Sequence, residues 1–214
     1  MKPFLLVLSS PSGGGKSTIA RHLLEAREDL GYSVSATTRA ARDGESDGGH
    51  YHFLSREEFT RREAAGEFLE TADYGGERYG TLRSEVEKTL AGGRTVVLDI
   101  EVRGARRIRD AFSEAVLVFI LPPSGAALLE RLRGRKTEDA FALRRRLEHA
   151  AAELAWVDEY DYVVVNDDLV NAVDLIAAIV DAESRRTARQ DGVAEQVARL
   201  REEIDALRNQ VVAG

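Results

Sequence analysis

Apolar residues fall into two textures along this chain. Uninterrupted short runs stand at residues 4–8, 95–98, 116–121 and 162–165, with a further short element at 32–35. Runs of that length and composition read as strands buried on both faces. A helical spacing of apolar positions follows the first run over residues 16–28, and the alternation of strand and helix predicts an α/β fold around a parallel sheet. Residues 36–90 have another texture, rich in Gly, Tyr, Glu and Arg with short alternating stretches, which predicts a small inserted lobe. Residues 128–154 are almost wholly helical in composition and strongly basic, with Arg131, Arg133, Arg135, Lys136, Arg144, Arg145 and Arg146. Taken alone, such a segment reads as a solvated helix face.

The tail carries its own pattern. Val193, Val197, Leu200, Ile204, Leu207 and Val211 recur at alternating spacings of four and three residues, a heptad seam. Val197, Ile204 and Val211 share one core position, and Val193, Leu200 and Leu207 the other, which favours a parallel two-stranded coil and so a homodimer. Glu203 and Arg208 fall where they could pair between strands. The seam is short and Asp191-Gly192 precedes it, so docking on the same chain is the alternative.

Composition narrows the class. A chain of 214 residues, 43% hydrophobic, can bury one substantial core with smaller appended lobes. No run of about 18 apolar residues marks a membrane helix, and the run at 4–8 is too short for a leader, so no membrane association is expected. Cysteine is absent, which excludes disulfides and thiolate metal sites and suits the cytoplasm, the expected location. A formal charge of −7 argues against a nucleic-acid partner, because backbone phosphates require a broad basic surface. Any bound phosphate must meet local basic clusters.

One such place follows the first strand. Ser10-Pro11-Ser12-Gly13-Gly14-Gly15-Lys16-Ser17-Thr18 joins an apolar run to an amphipathic helix, the context of a phosphate-binding loop. Glycines let backbone N–H groups converge on phosphate oxygens, and the helix N-terminus adds a favourable dipole. Lys16 supplies charge and the Ser17 hydroxyl can ligate Mg2+. Residues 12–18 are thus the candidate ATP site. Such loops usually open with glycine; here Ser10 stands, at a cost if the position needs positive φ.

The loop alone names many chemistries. Further motifs narrow the choice: Ser33-Val34-Ser35-Ala36-Thr37-Thr38-Arg39-Ala40-Ala41-Arg42-Asp43-Gly44-Glu45, Tyr51-His52-Phe53, Gly66-Glu67-Phe68-Leu69-Glu70 and Tyr79-Gly80-Thr81. Asp99-Ile100-Glu101-Val102-Arg103-Gly104-Ala105, the basic segment and Val165-Asn166-Asp167-Asp168 complete the set. In this order the chain resembles the guanylate kinases, over roughly residues 4 to 182. Singly, Tyr51 and Tyr79 would read as packing residues, Glu70 as a surface acid, and Arg39 and Arg42 as solvated charges.

The resemblance implies a division of labour. Residues 1–35, 91–124 and 155–185 would form the P-loop core, 36–90 a mixed α/β GMP-binding lobe, 125–154 a helical lid, and 190–214 the helical tail. It implies transfer of the γ-phosphoryl group of ATP to GMP and dGMP, with Mg2+, in purine nucleotide metabolism. Arg39 and Arg42 would grip the GMP phosphate, where guanidinium forks suit a dianion, with hydroxyls from Tyr51 and Tyr79. Ser35, Glu70 and Thr81 would read the base: a carboxylate accepts guanine N1–H and N2–H while hydroxyls donate to O6. Asp99 would hold Mg2+ through water, and Glu101 would border base or metal-bound water where relatives carry aspartate. Arg131, Arg135 and Arg146 would act from the lid, and Arg135 with Asn166 and Asp167 would border adenine. The acceptor phosphate can itself attack, so no general base is implied.

Departures from the family pattern are Ala41 for proline, His50 for aspartate, Arg103 for glutamine, Lys136 for glycine and Ala140-Phe141 for an acidic pair. None removes a phosphate ligand. Two rival functions share parts of this pattern. A catalytically dead module binding phosphorylated partners should lack the donor site, yet Lys16, Ser17, Asp99 and the lid arginines are all here. A P-loop kinase for another nucleotide base is disfavoured by Glu70 and Thr81.

Overall fold

The structure is a computed structural model and describes residues 1–133 and 140–212. From the amino end run β1 (Leu5–Ser9), α1 (Lys16–Ala26) and β2 (Leu30–Tyr32). Shorter elements follow: β3 (Ser35–Thr37), β4 (His52–Phe53), α2 (Arg56–Ala64), β5 (Phe68–Tyr74), β6 (Glu77–Leu82) and α3 (Arg83–Ala91). The second half holds β7 (Thr95–Asp99), α4 (Val102–Ala111), β8 (Val116–Leu121), α5 (Gly125–Arg133), α6 (Ala140–Leu154), β9 (Tyr162–Val165), α7 (Leu169–Ser184) and α8 (Val193–Val212).

Five strands pair in the order β2-β7-β1-β8-β9, all parallel, so the α/β expectation holds. The apolar runs are uninterrupted because both faces of this sheet are covered. Leu6, Leu8, Val97, Val118 and Ile120 face Ile19 and Leu23 of α1 and Ile176 of α7. The alternate residues Leu5, Val7, Val96, Leu98 and Leu117 face Val86 of α3 and Ile108 of α4. Each such aliphatic side chain contributes about 1.5–3 kcal/mol when fully buried. With β7 and β8 on either side of β1, the loops that leave the carboxyl edge share one crevice, where open α/β sheets bind ligands.

The element expected at 32–35 is two strands. Leu30–Tyr32 pairs with β7, and Ser35–Thr37 pairs with β6 in a second sheet ordered β4-β3-β6-β5. The break occurs because Ala36 belongs to another core, formed with Phe59, Phe68 and Leu82, where the Phe59 and Phe68 rings stack 4.5 Å apart. Similarly, α1 stops at Ala26 because Arg27 is extended (φ −137°, ψ 110°). Its guanidinium is tied to Asp29 and to Asp181 of α7.

In the basic segment, Leu128 and Leu132 of α5 pack with Ala150 of α6. The chain after α7 is anchored by Arg189, which is buried, ion-pairs with Glu183 and lies 4.4 Å over the Phe4 ring. Gly192 (φ +74°) then lets α8 start afresh. Among the described residues, no helix is long and apolar enough to cross a membrane.

Candidate functional site

The loop after β1 has the backbone its glycines predict. Gly13 and Gly15 lie at φ +88° and +97°, and Gly15 caps the start of α1. A Cβ on Gly14 would sit 2.6 Å from Ser10 Cβ, so the inner turn also needs a bare backbone for space. Ser10 itself does not have positive φ, since no described non-glycine residue does, and its hydroxyl donates to Pro11 O at 3.0 Å. The serine that opens this loop therefore carries no left-handed strain.

Lys16 extends from the first residue of α1 to the end of β7, where its Nζ lies 2.7 Å from Asp99 Oδ1 and 3.9 Å from Glu101 Oε1. Burial alone would lower the affinity of the amine for its proton, but Asp99 and Glu101 outweigh that and hold it charged, well above the usual lysine range. Ser17 and Thr18 are exposed on the first turn of α1. The loop is also covered from the other side. Asn166 Nδ2 donates to Gly14 O at 2.9 Å, and Arg131 donates to Gly14 O (3.3 Å) and Asn166 O (2.9 Å).

Helix α6 holds Ser12 by its backbone N–H and its hydroxyl. Ser12 N–H donates to Glu153 Oε2 at 3.0 Å, and Arg146 Nη2 donates to Ser12 Oγ at 3.3 Å. His149 of the same helix packs edge-on against Tyr74 of β5, with ring centroids 6.2 Å apart, so α6 spans the cleft between loop and second sheet. Arg135 and Lys136 lie outside the described residues. Nothing in the sequence pattern marked Glu153, because its partner Ser12 is distant along the chain. Burial and a hydrogen bond with Glu101 push its carboxyl up to about 8.

In the second sheet, strand register brings the base-facing candidates together. Ser35 of β3 pairs with Thr81 of β6, and Thr81 pairs with Glu70 of β5, so the three form one row across the strands. Glu70 reaches that row through a bulge: Phe68 pairs with Leu82, and the register then shifts by one past Leu69. Thr81 Oγ1 donates to Glu70 Oε1 at 2.8 Å, while Glu70 Oε2 is buried with no hydrogen-bond partner among the described residues. Burial pushes the carboxyl of Glu70 up, against the opposing hydrogen bond from Thr81. A buried acceptor without a donor is costly unless a ligand supplies one.

The candidate phosphate ligands cluster beside this row. Arg39 is held by a two-point fork to Glu45, both contacts 2.9 Å, and its guanidinium carbon lies 5.3 Å from the Tyr51 ring centre. Tyr51 and Tyr79 meet edge to face at 6.0 Å. Arg42 is exposed on the loop after Arg39, and its backbone N–H donates to Glu45 Oε2 at 2.8 Å. Glu45 thus ties the Arg39 side chain to the Arg42 backbone, although in the sequence it is only one acid in a polar loop. His50 closes the next turn by accepting from Ser46 N–H at 3.2 Å. Arg103 is exposed on the first turn of α4, and nothing in the structure explains it.

Two clusters therefore face each other under α6: a glycine loop with a lysine and strand-end carboxylates, and an Arg–Tyr cluster beside a buried carboxylate row. The first can take the phosphates of a nucleotide, and the second a phosphate ester with a hydrogen-bond-donating edge. Comparison with known proteins points the same way. The family model described as guanylate kinase matches residues 2–183. The chain is 49% identical over 191 residues to a guanylate kinase of Symbiobacterium thermophilum, covering 88% of this chain and 89% of that one. It is likewise 49% identical over 197 residues to one of Anaeromyxobacter dehalogenans (91% and 87%). The crystal structure of guanylate kinase from Anaplasma phagocytophilum superposes with a TM-score of 0.75 at 40% identity, covering 90% of this chain and 92% of that one.

Proposed function

The chain belongs to the guanylate kinase family, and on that premise we propose how its residues divide the transfer of the γ-phosphoryl group of ATP to GMP, giving ADP and GDP. As an ATP:GMP phosphotransferase it needs two phosphate-bearing nucleotides brought end to end with water kept out.

Donor phosphates lie on the loop from Ser12 to Thr18, cradled by N–H groups and met by Lys16. Ser17 and Asp99 would hold Mg2+, Asp99 through water. The oxygen donors fit: Asp99 Oδ1 is buried and, apart from its ion pair with Lys16, has no hydrogen-bond partner among the described residues, and Ser17 is exposed on the first turn of α1. A single serine hydroxyl and one carboxylate are the sparse set that Mg2+ accepts when phosphates and water complete its shell. When bound, the ion neutralises charge on the donor phosphates. Arg131, Arg135 and Arg146 add positive charge from the lid, residues 125–154, and Asn166 borders the nucleotide.

GMP lies in the lobe of residues 36–90. Arg39 and Arg42 grip its phosphate with the hydroxyls of Tyr51 and Tyr79. Ser35, Thr81 and Glu70 read guanine, with Glu101 at the border of the two nucleotides. The observation carrying this reading is the row Ser35–Thr81–Glu70 with its unpartnered Glu70 oxygen. Guanine N1–H and N2–H supply the missing donors; adenine has an acceptor at N1 and cannot. On this reading dGMP is a second acceptor and purine nucleotide metabolism in the cytoplasm is the setting. Closure of α6 over the transfer point excludes water and so limits ATP hydrolysis.

A second copy of the chain is the proposed partner of α8. Val197, Leu200, Ile204 and Leu207 are 42–58% exposed, which supports pairing of the seam with a second copy over docking on the same chain. Burying it in a parallel coil removes that apolar surface from water. Measuring ADP formation from ATP with GMP, dGMP, AMP, CMP and UMP tests the catalytic reading. Turnover with GMP and dGMP alone is expected; equal turnover with AMP contradicts it.

A further inference from the structure

Helix α4 contains a glycine whose backbone gives no reason for it. Gly104 is buried in the first turn, and its φ is not in the left-handed region. Glycine weakens a helix interior relative to alanine, since it gains more freedom on unfolding. The reason lies in space. A Cβ on Gly104 would sit 2.7 Å from Glu70 Oε2, 3.0 Å from Cδ and 3.5 Å from Oε1. Beyond the helix's own backbone, the three atoms nearest to that missing methyl group all belong to one carboxylate.

We infer that Gly104 is a positioning residue for guanine recognition: its bare Cα leaves the space in which the Glu70 carboxylate stands, and a side chain there turns the carboxylate away from the acceptor base. This rests on Glu70 being the base reader. The carboxylate has one fixed and one free oxygen. Oε1 is held by Thr81 at 2.8 Å, and Oε2, the atom nearest the helix, has no partner. Glu70 cannot retreat from a methyl group and keep both the Thr81 contact and the direction of Oε2. Because the obstructed atoms are the far end of a side chain, the conflict is relieved by rotation of Glu70 rather than by backbone movement. The same substitution also gains helix propensity. Binding of the base is therefore lost while the fold is kept.

The experiment is Gly104→Ala beside Glu70→Gln, Glu70→Asp and the double variant Gly104→Ala with Glu70→Asp. Each is assayed with GMP, with IMP, which lacks the 2-amino donor, and for KM of ATP, alongside melting temperature. For Gly104→Ala the expected result is a rise of about tenfold or more in KM for GMP, with KM for ATP and the melting temperature unchanged. Preference for GMP over IMP falls. In the double variant the shorter carboxylate fits beside the new methyl group, so kcat/KM for GMP exceeds that of Gly104→Ala alone, whereas Glu70→Asp alone lowers it. If Glu70→Gln impairs GMP use but Gly104→Ala leaves KM for GMP and the GMP to IMP ratio intact, the inference is wrong and the base reading stands. If Glu70→Gln itself retains GMP use, both fall. Should Gly104→Ala melt early, recovery by the double variant still decides, and its absence overturns the inference.

Discussion

Lys16 Nζ lies 2.7 Å from Asp99 Oδ1, so the loop lysine is paired with the last residue of β7 rather than pointing into solvent. On the proposed function, donor phosphates would compete with Asp99 for the same ammonium. Lys16→Ala removes charge from the donor site and leaves the Asp99 side chain, only 6% exposed, without its cation. Turnover is expected to fall by at least about 100-fold, with the far-ultraviolet circular dichroism spectrum unchanged. Wild-type turnover in this variant would falsify the donor assignment.

Glu45 holds Arg39, the proposed ligand of the GMP phosphate. Both oxygens of its carboxylate engage the Arg39 guanidinium, and one also receives the Arg42 N–H. Glu45→Ala should raise KM for GMP about tenfold, the scale of one charge-assisted hydrogen-bond fork, while KM for ATP stays put. Arg39→Ala should do more. Steady-state kinetics with each substrate varied in turn gives the answer, and equal effects on both substrates would refute the positioning role.

Stability should respond to pH through Glu153. Its carboxyl, pushed up to about 8 by burial first and then by Glu101, binds its proton more tightly in the folded chain than in the unfolded one. The folded state is therefore favoured by this group below about pH 4.5, and the benefit is lost as pH rises through about 8. Glu153→Gln removes the titration. Melting temperature measured from pH 5 to 8.5 should decline less steeply in the variant than in the wild type; parallel curves would exclude the effect.

The tail can be tested by its removal. A chain ending at Gln190 loses α8 with its exposed seam. Sedimentation should find the full chain as a dimer and the shortened one as a monomer, and an identical oligomeric state in both would reject pairing through α8.

What was legible in the sequence is what short-range pattern encodes. β1, β7 and β8 stand out because both faces of each are buried, and the glycine loop because its residues are contiguous. The candidate acceptor residues are marked by their motifs, Arg39, Arg42, Tyr51, Glu70, Tyr79 and Thr81 all falling within residues 36–90. The division of residues 30–37 between two sheets was not legible, because it depends on which core receives Ala36. The bulge at Leu69 was hidden for a similar reason: only the register against β6 reveals it. Glu153 acts on Ser12 across the fold. Gly104 did leave a signal, a glycine inside an amphipathic helical stretch, which marks close approach when no turn is present.

The central claim is that Glu70 reads guanine, and the most direct measurement is kcat/KM of Glu70→Gln with GMP. An amide in place of the carboxylate offers one acceptor and turns a donor toward the second guanine hydrogen, so an attraction becomes a repulsion. An unmatched buried polar group costs roughly 1–3 kcal/mol, more with charge involved, and about 1.4 kcal/mol is tenfold. The account predicts a loss of about 100-fold or more with GMP, KM for ATP unchanged, and AMP still a poor substrate because losing one discriminating group does not build an adenine site. Near-normal kcat/KM with GMP would contradict it and move the base-reading role to Glu101.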